Sequence, residues 1–350
     1  MKQNAYARAG VDIELGNQVK TSLPELLKST HRPEVLGTVG GFGGLFSLSP
    51  RKYRQPVLVS SVDGVGTKLK VAFATKKHNT IGEDLVNHCV NDIAVLGAEP
   101  LFFLDYLGTG VLKPNVFESI MSGFAKACRE NHCALVGGET AQMPSFYQKG
   151  EYDVSGTIIG IVEKSRLLDG RKIKVGDVIL GLPSNGLHTN GYTLARDIFF
   201  DKLKLRPSSK MPELGCSVGN ELLKVHRSYL KPMTKLVKRF NPKGNTPQIK
   251  GFAHITGGGF IDNIPRILPK NVNAKIDRGS WDSQPVFEII QKVGKVSETE
   301  MHTVFNMGIG MIIVADAKTA PSIQSYLKRL KEPCFEIGKI VRGKGICELR

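Results

Sequence analysis

Several things are missing from this sequence, and each absence excludes a class of protein. Cysteine is sparse: Cys89, Cys128, Cys133, Cys216, Cys334 and Cys347 are scattered over 350 residues. None forms a C-x-x-C pair or stands near histidine at metal-ligand spacing. A disulfide framework and a zinc ribbon are therefore unsupported, and the thiols suit a reduced, cytoplasmic protein. No run approaches the ~18 apolar residues of a membrane span. The opening MKQNAYARAGVDIELGN lacks the apolar core of a signal peptide. A Walker A loop is absent, and VGGFGG at 39–44 does not satisfy the dinucleotide fingerprint. Neither G-x-S-x-G nor a Ser-His-Asp order occurs, so acyl-enzyme chemistry has no support.

What is present begins with charge. The formal net charge is +16, and residues 201–250 hold twelve lysines and arginines against three acids. Such an excess fits an anionic partner, from phosphorylated small molecules to nucleic acid. Lys224, Arg227, Lys231, Lys235 and Lys238 follow helical spacing, although Pro232 interrupts any single long helix. A solvated helix face accounts for this, and no aromatics interleave at stacking positions, so nucleic acid is not favoured as a partner.

The length favours two domains with separate cores. VLVSSV (57–62), LFFLDYLG (101–108), CALVGGE (133–139) and YDVSGTIIGIVE (152–163) read as strands. IGEDLVNHCVNDIAVLG (81–97) and NVFESIMSGFAKACREN (115–131) read as helices. The order β-α-β-α-β-β makes this half α/β or α+β. A helical piece precedes it near 17–29. The polar, turn-rich KSRLLDGRKIKVG (164–176) is the junction, giving domains 1–168 and 169–350. Beyond it, DVILGLPS (177–184) restarts a strand. Helices are expected at about 190–200, 218–230 and 233–240, followed by strand–helix alternation to the end.

The glycines cluster in VGGFGG, DGVGTK (63–68), GGET (137–140) and HITGGGF (254–260), beside the polar turn SNGLHTNGY (184–192). Backbone N–H groups exposed at such turns bind phosphate oxygens. Asp63, Asp92 and Glu139 lie at or near the ends of apolar elements, where carboxylates beside glycine can hold Mg²⁺. Each acid alone is more often a cap or turn former. Asp92 sits in an apolar helix and needs a partner or a metal; Asp105 in LFFLDYLG serves as well in a buried hydrogen bond. His188 opens a helix between Asn185 and Asn190, as an acid–base group or a phosphate contact. His254, before TGGG, is the second choice; His226 reads as an ordinary surface or packing residue.

Taken in order, YARAGVDIELGN, RPEVLGTVGGFGGLF, SSVDGVGTKLK, CVNDIAVLGAEPLFFLDYLGTG, LVGGETAQMP, SNGLHTNGY, HITGGGFIDNIPRILP and FNMGIGMII resemble the AIR synthetase (phosphoribosylformylglycinamidine cyclo-ligase) family over nearly the whole chain. The resemblance implies a two-domain α/β (α+β) fold. Its N-terminal domain binds ATP and pairs its sheet with a second copy in a homodimer; its C-terminal domain is α/β. It implies a cytoplasmic enzyme of purine biosynthesis. ATP and formylglycinamidine ribonucleotide give aminoimidazole ribonucleotide, ADP and phosphate through an iminophosphate. Carried over by position, Asp63 and Asp92 bind Mg²⁺, and Lys68 meets ATP phosphates on a loop shaped by Gly64, Gly66 and Thr67. Glu139 joins the metal or nucleotide shell. His188 and Asn190 lie near the reacting centre, with His188 as acid or base, and Thr256, Gly257, Gly258 and Gly259 hold a phosphate.

This chain departs from the family at three places. Gln142 replaces a usual glutamate, and Val225 and His226 replace a Pro-Thr pair before Arg227. Pro24 stands about where a lysine is expected, leaving Lys20 or Lys28 to substitute. The competing readings are another ATP-dependent enzyme of the same superfamily, or a silent nucleotide-binding module. Intact Asp63, Lys68, Asp92 and His188 speak against silence.

Overall fold

The structure, a computed structural model, describes residues 5–21, 23–37, 40–49 and 52–350. Val39 of the 39–44 glycine turn lies outside them. The chain forms two compact units: Met1–Ile93 with Glu99–Lys164, and Ala94–Ala98 with Ser165–Arg350. Short helices Ile13–Lys20 and Leu23–Lys28 stand where one helical piece is expected near 17–29.

In the first unit, β1 (Pro56–Gly64) runs into a 3₁₀ turn and α1 (Leu69–Thr75). Then come α2 (Asn79–Ala94), β2 (Glu99–Thr109), α3 (Pro114–Glu130), β3 (Ala134–Gln142) and β4 (Tyr152–Glu163). The sheet order is β1-β4-β2-β3, with only β2 and β3 parallel neighbours. Inserting β4 between β1 and β2 makes this a split β-α-β arrangement. Helix α3 starts with proline in its first turn, where the missing N–H costs nothing. It buries Phe117, Ile120, Met121 and Phe124 on one face.

Helices α2 and α3 meet backbone to backbone. A Cβ on Gly82 would lie 2.3 Å from the Phe124 nitrogen, and one on Gly123 would lie 2.3 Å from the Asn79 carbonyl oxygen. These two glycines fix where α2 crosses, and α2 carries the acids of the candidate site.

The second unit holds β5 (Val178–Pro183), α4 (Leu230–Phe240), β6 (Ile249–His254), α5 (Gly259–Asn263), β7 (Val272–Ile276), α6 (Pro285–Gly294), α7 (Glu298–Val304), β8 (Ile309–Ala315), α8 (Ala320–Arg329), β9 (Phe335–Arg342) and β10 (Cys347–Leu349). Its sheet runs β6-β8-β5-β9-β7-β10, antiparallel except for β7 with β10. The alternation read from the sequence is thus realised mainly as antiparallel pairing, the α+β side of the expectation. All of β6 and β8 is buried; β8 is apolar throughout, whereas β6 carries Lys250 and His254, each partnered inside the fold.

The helix expected at 218–230 ends at Leu222. Side chains take the carbonyls that a longer helix would use: the Tyr192 hydroxyl donates to Leu222 O and the Asn185 amide to Val225 O. Lys224 and Arg227 consequently lie outside α4, which keeps Lys231, Lys235 and Lys238 exposed. A minority of the basic excess is neutralised locally. Lys224 pairs with Glu221 at 2.7 Å, Arg227 pairs with Glu332, and buried Lys250 pairs with Asp177. Helix α7 was not expected; its signal is Ser297, whose side chain accepts from the Glu300 amide as an N-cap.

Gly82→Ala is expected to lower the unfolding free energy by about 2 kcal/mol, measured by urea denaturation. Overpacking two helix backbones costs roughly 1–3 kcal/mol, against a helix-propensity gain of no more than about 1 kcal/mol. A stabilised variant would refute the close crossing.

Candidate functional site

In the first unit the chemistry gathers where β1 ends against α2. Asp63 is the penultimate residue of β1, and its Oδ1 accepts the Gly64 amide at 2.7 Å. Its Oδ2 lies 2.8 Å from His88 Nε2 on α2, and the same nitrogen is 3.7 Å from Asp92 Oδ2, one helical turn on. The Ser61 hydroxyl donates to Asp92 Oδ2 at 3.1 Å. Two carboxylates thus converge on one buried imidazole. Burial opposes charge on both Asp63 and His88. For Asp63, the His88 hydrogen bond and charge and the Gly64 amide outweigh burial and hold its carboxyl below the usual range. For His88, the Asp63 hydrogen bond and the charges of Asp92, Asp63 and Asp84 outweigh burial and hold its imidazole above the usual range.

Asp63 and Asp92 are both only partly buried, so each keeps carboxylate surface at the rim of the glycine turn. Hard oxygen donors on an accessible rim fit Mg²⁺, which binds through one or two carboxylates and retains waters. Glu139 is not brought to them. It is exposed on β3, opposite Tyr106, whereas Asp63 shares its row with Gly156, Asp105 and Gly138. Successive rows face opposite sides of a sheet, and three strand spacings separate β1 from β3, roughly 14 Å.

Lys68 also sits elsewhere than a phosphate contact requires. Gly66, with φ of +63°, turns the chain into the 3₁₀ segment Gly66–Lys68. The Lys68 ammonium then enters the interior, 2.8 Å from Asp84 Oδ1, both side chains being fully buried. Burial lowers the Lys68 pKa, and Asp84 offsets only part of this. Sequence reasoning missed both His88 and Asp84. Asp84, His88 and Asp92 stand four residues apart along one helix face, a spacing that could have revealed them.

Two neighbouring residues are explained. Gln142 donates its amide N–H to Asp12 O at 2.8 Å and accepts the Asp12 amide at 3.3 Å. A glutamate could not do both, so the departure serves local structure. Asp105 is buried against Gly138, where a Cβ would lie 2.3 Å from its Oδ1. Burial raises its pKa to about 7.

In the second unit the structure brings two expected loops together. His188 has φ of +62° in the turn after β5. Gly257 packs on Asn190, whose Nδ2 would be 3.2 Å from an added Cβ. The Thr256–Gly259 turn is organised by Asn263, whose amide donates to the carbonyls of Thr256, Gly257 and Gly259. His188, Asn190, Thr256, Gly257, Gly258 and Gly259 therefore share one region. His226 joins it, its ring stacked on His188 with centroids 4.1 Å apart.

Two α+β units in this order, the first carrying an acid–glycine turn, define the class. Residues 52–162 match the AIR synthase related protein N-terminal domain and residues 174–348 its C-terminal domain. The chain belongs to that family. It is 51% identical over 342 residues to the phosphoribosylformylglycinamidine cyclo-ligase of Syntrophotalea carbinolica, covering 98% of this chain and 96% of the relative. The enzyme of the same name from Geobacillus thermodenitrificans is also 51% identical over 342 residues, covering 98% and 97%. Among solved structures, thiamine-monophosphate kinase from Stenotrophomonas maltophilia superposes with a TM-score of 0.68 at 17% identity, covering 95% of each chain. Hydrogenase maturation protein HypE in complex with ATP gives 0.63 at 16% identity, covering 95% of this chain and 90% of that one. At these identities the structural likeness speaks for the fold alone.

Lys68→Met strips the ammonium from the buried Asp84 carboxylate and is expected to cost roughly 3–5 kcal/mol by chemical denaturation, with Lys68→Met/Asp84→Leu recovering most of it. An inexpensive single variant would mean that the pair is not buried in solution.

Asp105 gives a pH signature. Its pKa rises on folding from 3.8 to about 7, so its contribution is fully present below pH ~4 and is lost as pH climbs through ~7. Relative to Asp105→Asn, the native chain should lose up to about 4 kcal/mol of stability over that window. Parallel stability curves for the two proteins would contradict the assignment.

Proposed function

We propose that this chain is an ATP-dependent phosphoribosylformylglycinamidine cyclo-ligase, closing the imidazole ring of aminoimidazole ribonucleotide in purine biosynthesis. The observation that carries the reading is near-complete, half-identical correspondence with cyclo-ligases across both domains. In the reaction the formyl oxygen of formylglycinamidine ribonucleotide takes the terminal phosphoryl group of ATP, releasing ADP. An internal nitrogen attacks the activated carbon, and the C–O bond breaks as phosphate leaves. The chain needs no covalent nucleophile for this; it needs to position two anionic substrates and to balance their charge.

Asp63 and Asp92 would hold Mg²⁺, which when bound neutralises phosphate charge and orients ATP oxygens. Their fixed position is supported by His88 and Ser61. Gly64, Gly66 and Thr67 shape the turn beside them, and Lys68 anchors that turn from beneath. In the second unit, His188 and Asn190 would lie near the reacting centre, with His188 as the group that holds a proton during ring closure. Thr256, Gly257, Gly258 and Gly259 form a phosphate-side loop. Glu139 belongs to the nucleotide shell in this reading rather than to the Asp63–Asp92 pair.

We also infer a homodimer formed through the first sheet. Leu58 and Val62 project from edge strand β1 at 59% and 66% exposure, an apolar strip that a second copy would cover. No helix among the described residues is long and apolar enough to cross a membrane. The free cysteines, four of them buried, suit a cytoplasmic location.

The test mixes the protein with ATP, Mg²⁺ and formylglycinamidine ribonucleotide, then measures ADP and the aminoimidazole by diazo coupling. Equal yields are expected. ADP without the imidazole would sink the substrate assignment in favour of another superfamily reaction. Asp92→Asn should lower kcat/KM at least ~100-fold, since losing a metal-bound carboxylate removes about 3 kcal/mol or more from the transition state.

A further inference from the structure

His188, His226 and His254 come from three separate stretches: the turn after β5, the irregular segment after Leu222, and the last residue of β6. Together they form a compact, buried cluster, with one nitrogen from each ring within 4.8 Å of the others. Their exposures are 2%, 0% and 6%. Nothing in the proposed reaction calls for three imidazoles here.

We propose that His188, His226 and His254 form a binding site for a divalent transition-metal ion of the zinc class. Zinc–nitrogen bonds of 2.0–2.1 Å in a tetrahedron place ligand nitrogens about 3.3 Å apart. His226 Nε2 and His254 Nε2 are already 3.0 Å apart. One His188 nitrogen lies within 4.8 Å of a nitrogen on each of the other rings, and His188 turns out of its stack on His226 to complete the set. Three imidazoles with the fourth position left for water are a known zinc ligand set. Nitrogen donors of this kind suit zinc, copper, nickel or iron rather than magnesium.

The surroundings orient the ligands. The Thr189 hydroxyl lies 3.2 Å from His226 Nδ1. With Nδ1–H donating to it, the lone pair falls on Nε2, the nitrogen facing His254. The Tyr192 hydroxyl shares its one proton between Leu222 O at 2.7 Å and the His188 carbonyl at 3.1 Å, which ties the turn to the segment after it. Gly310 leaves room for the rings: a Cβ there would lie 2.6 Å from His188 Cε1 and 2.2 Å from the Tyr229 hydroxyl.

The test uses the full chain stripped with a chelator, held in excess Mg²⁺ to occupy carboxylate sites, and titrated with Co²⁺ as a spectroscopic probe, then with Zn²⁺ in competition. One Co²⁺ per chain with the intense visible bands of four-coordinate cobalt is expected, displaced by Zn²⁺. His226→Thr and, independently, His254→Gln should each weaken binding at least ~100-fold, beyond the 10–100-fold typical of losing an outer-shell partner. Circular dichroism reports whether each variant folds. Absence of four-coordinate cobalt, or its persistence in both folded histidine variants, would overturn the proposal. Cyclo-ligase activity is not the readout, so this inference and the proposed reaction fail separately.

Discussion

The imidazole of His88 is the interaction on which the first unit's chemistry turns. A strand end and a helix face each contribute a carboxylate, and two like charges this close repel. His88, buried under both and held toward its protonated form by them, converts that repulsion into attraction. The imidazole is buried and the carboxylates are at the rim. The carboxylates are thus tethered from inside the fold, and the outward oxygen surface is left for a hard cation. The arrangement depends on the register of α2 against β1, and that register depends on Gly82 and Gly123, which let α3 approach to backbone contact.

One layer down, Lys68 and Asp84 perform a different task with the same helix. An ammonium and a carboxylate out of water are expensive alone and tolerable only together. The pair thus ties the glycine turn to α2 at a single depth. The turn has two flexible positions, Gly64 and Gly66, and an anchor immediately after them. A cradle for phosphate must be open enough for a backbone to approach the ligand yet fixed enough not to lose that geometry. Flexible residues followed by a buried ion pair meet both conditions.

The legible parts of this protein were those set by local pattern. Strand ends at Asp63, helix starts at Pro114, and the polar turn at His188 all follow from short-range periodicity and turn chemistry. The sheet order was not legible, because β4 inserts between strands that precede it in sequence. Lys68 was expected as a phosphate contact from the resemblance; its direction into the fold follows the 3₁₀ turn, which no spacing rule reports. The helix expected at 218–230 failed for a tertiary reason, since Tyr192 and Asn185 compete for its carbonyls from another segment. His88 was readable in principle from its spacing to Asp84 and Asp92. The association of His226 with His188 and His254 was not, because long stretches of chain separate all three.

That last case bears on how a residue acquires meaning from its neighbours. His226 on its own is a buried polar group that reaches Thr189. Its consequence comes from two histidines already nearby, one at the end of a buried strand and one in a turn strained to positive φ. With two imidazoles, the region is a hydrogen-bonded polar cluster; with three, it meets the ligand number of a zinc site. The two units thus hold different donor sets, oxygen at Asp63 and Asp92, nitrogen at His188, His226 and His254. Because imidazole nitrogen suits zinc-class ions and not magnesium, the histidine set rejects the hard cation without any steric device.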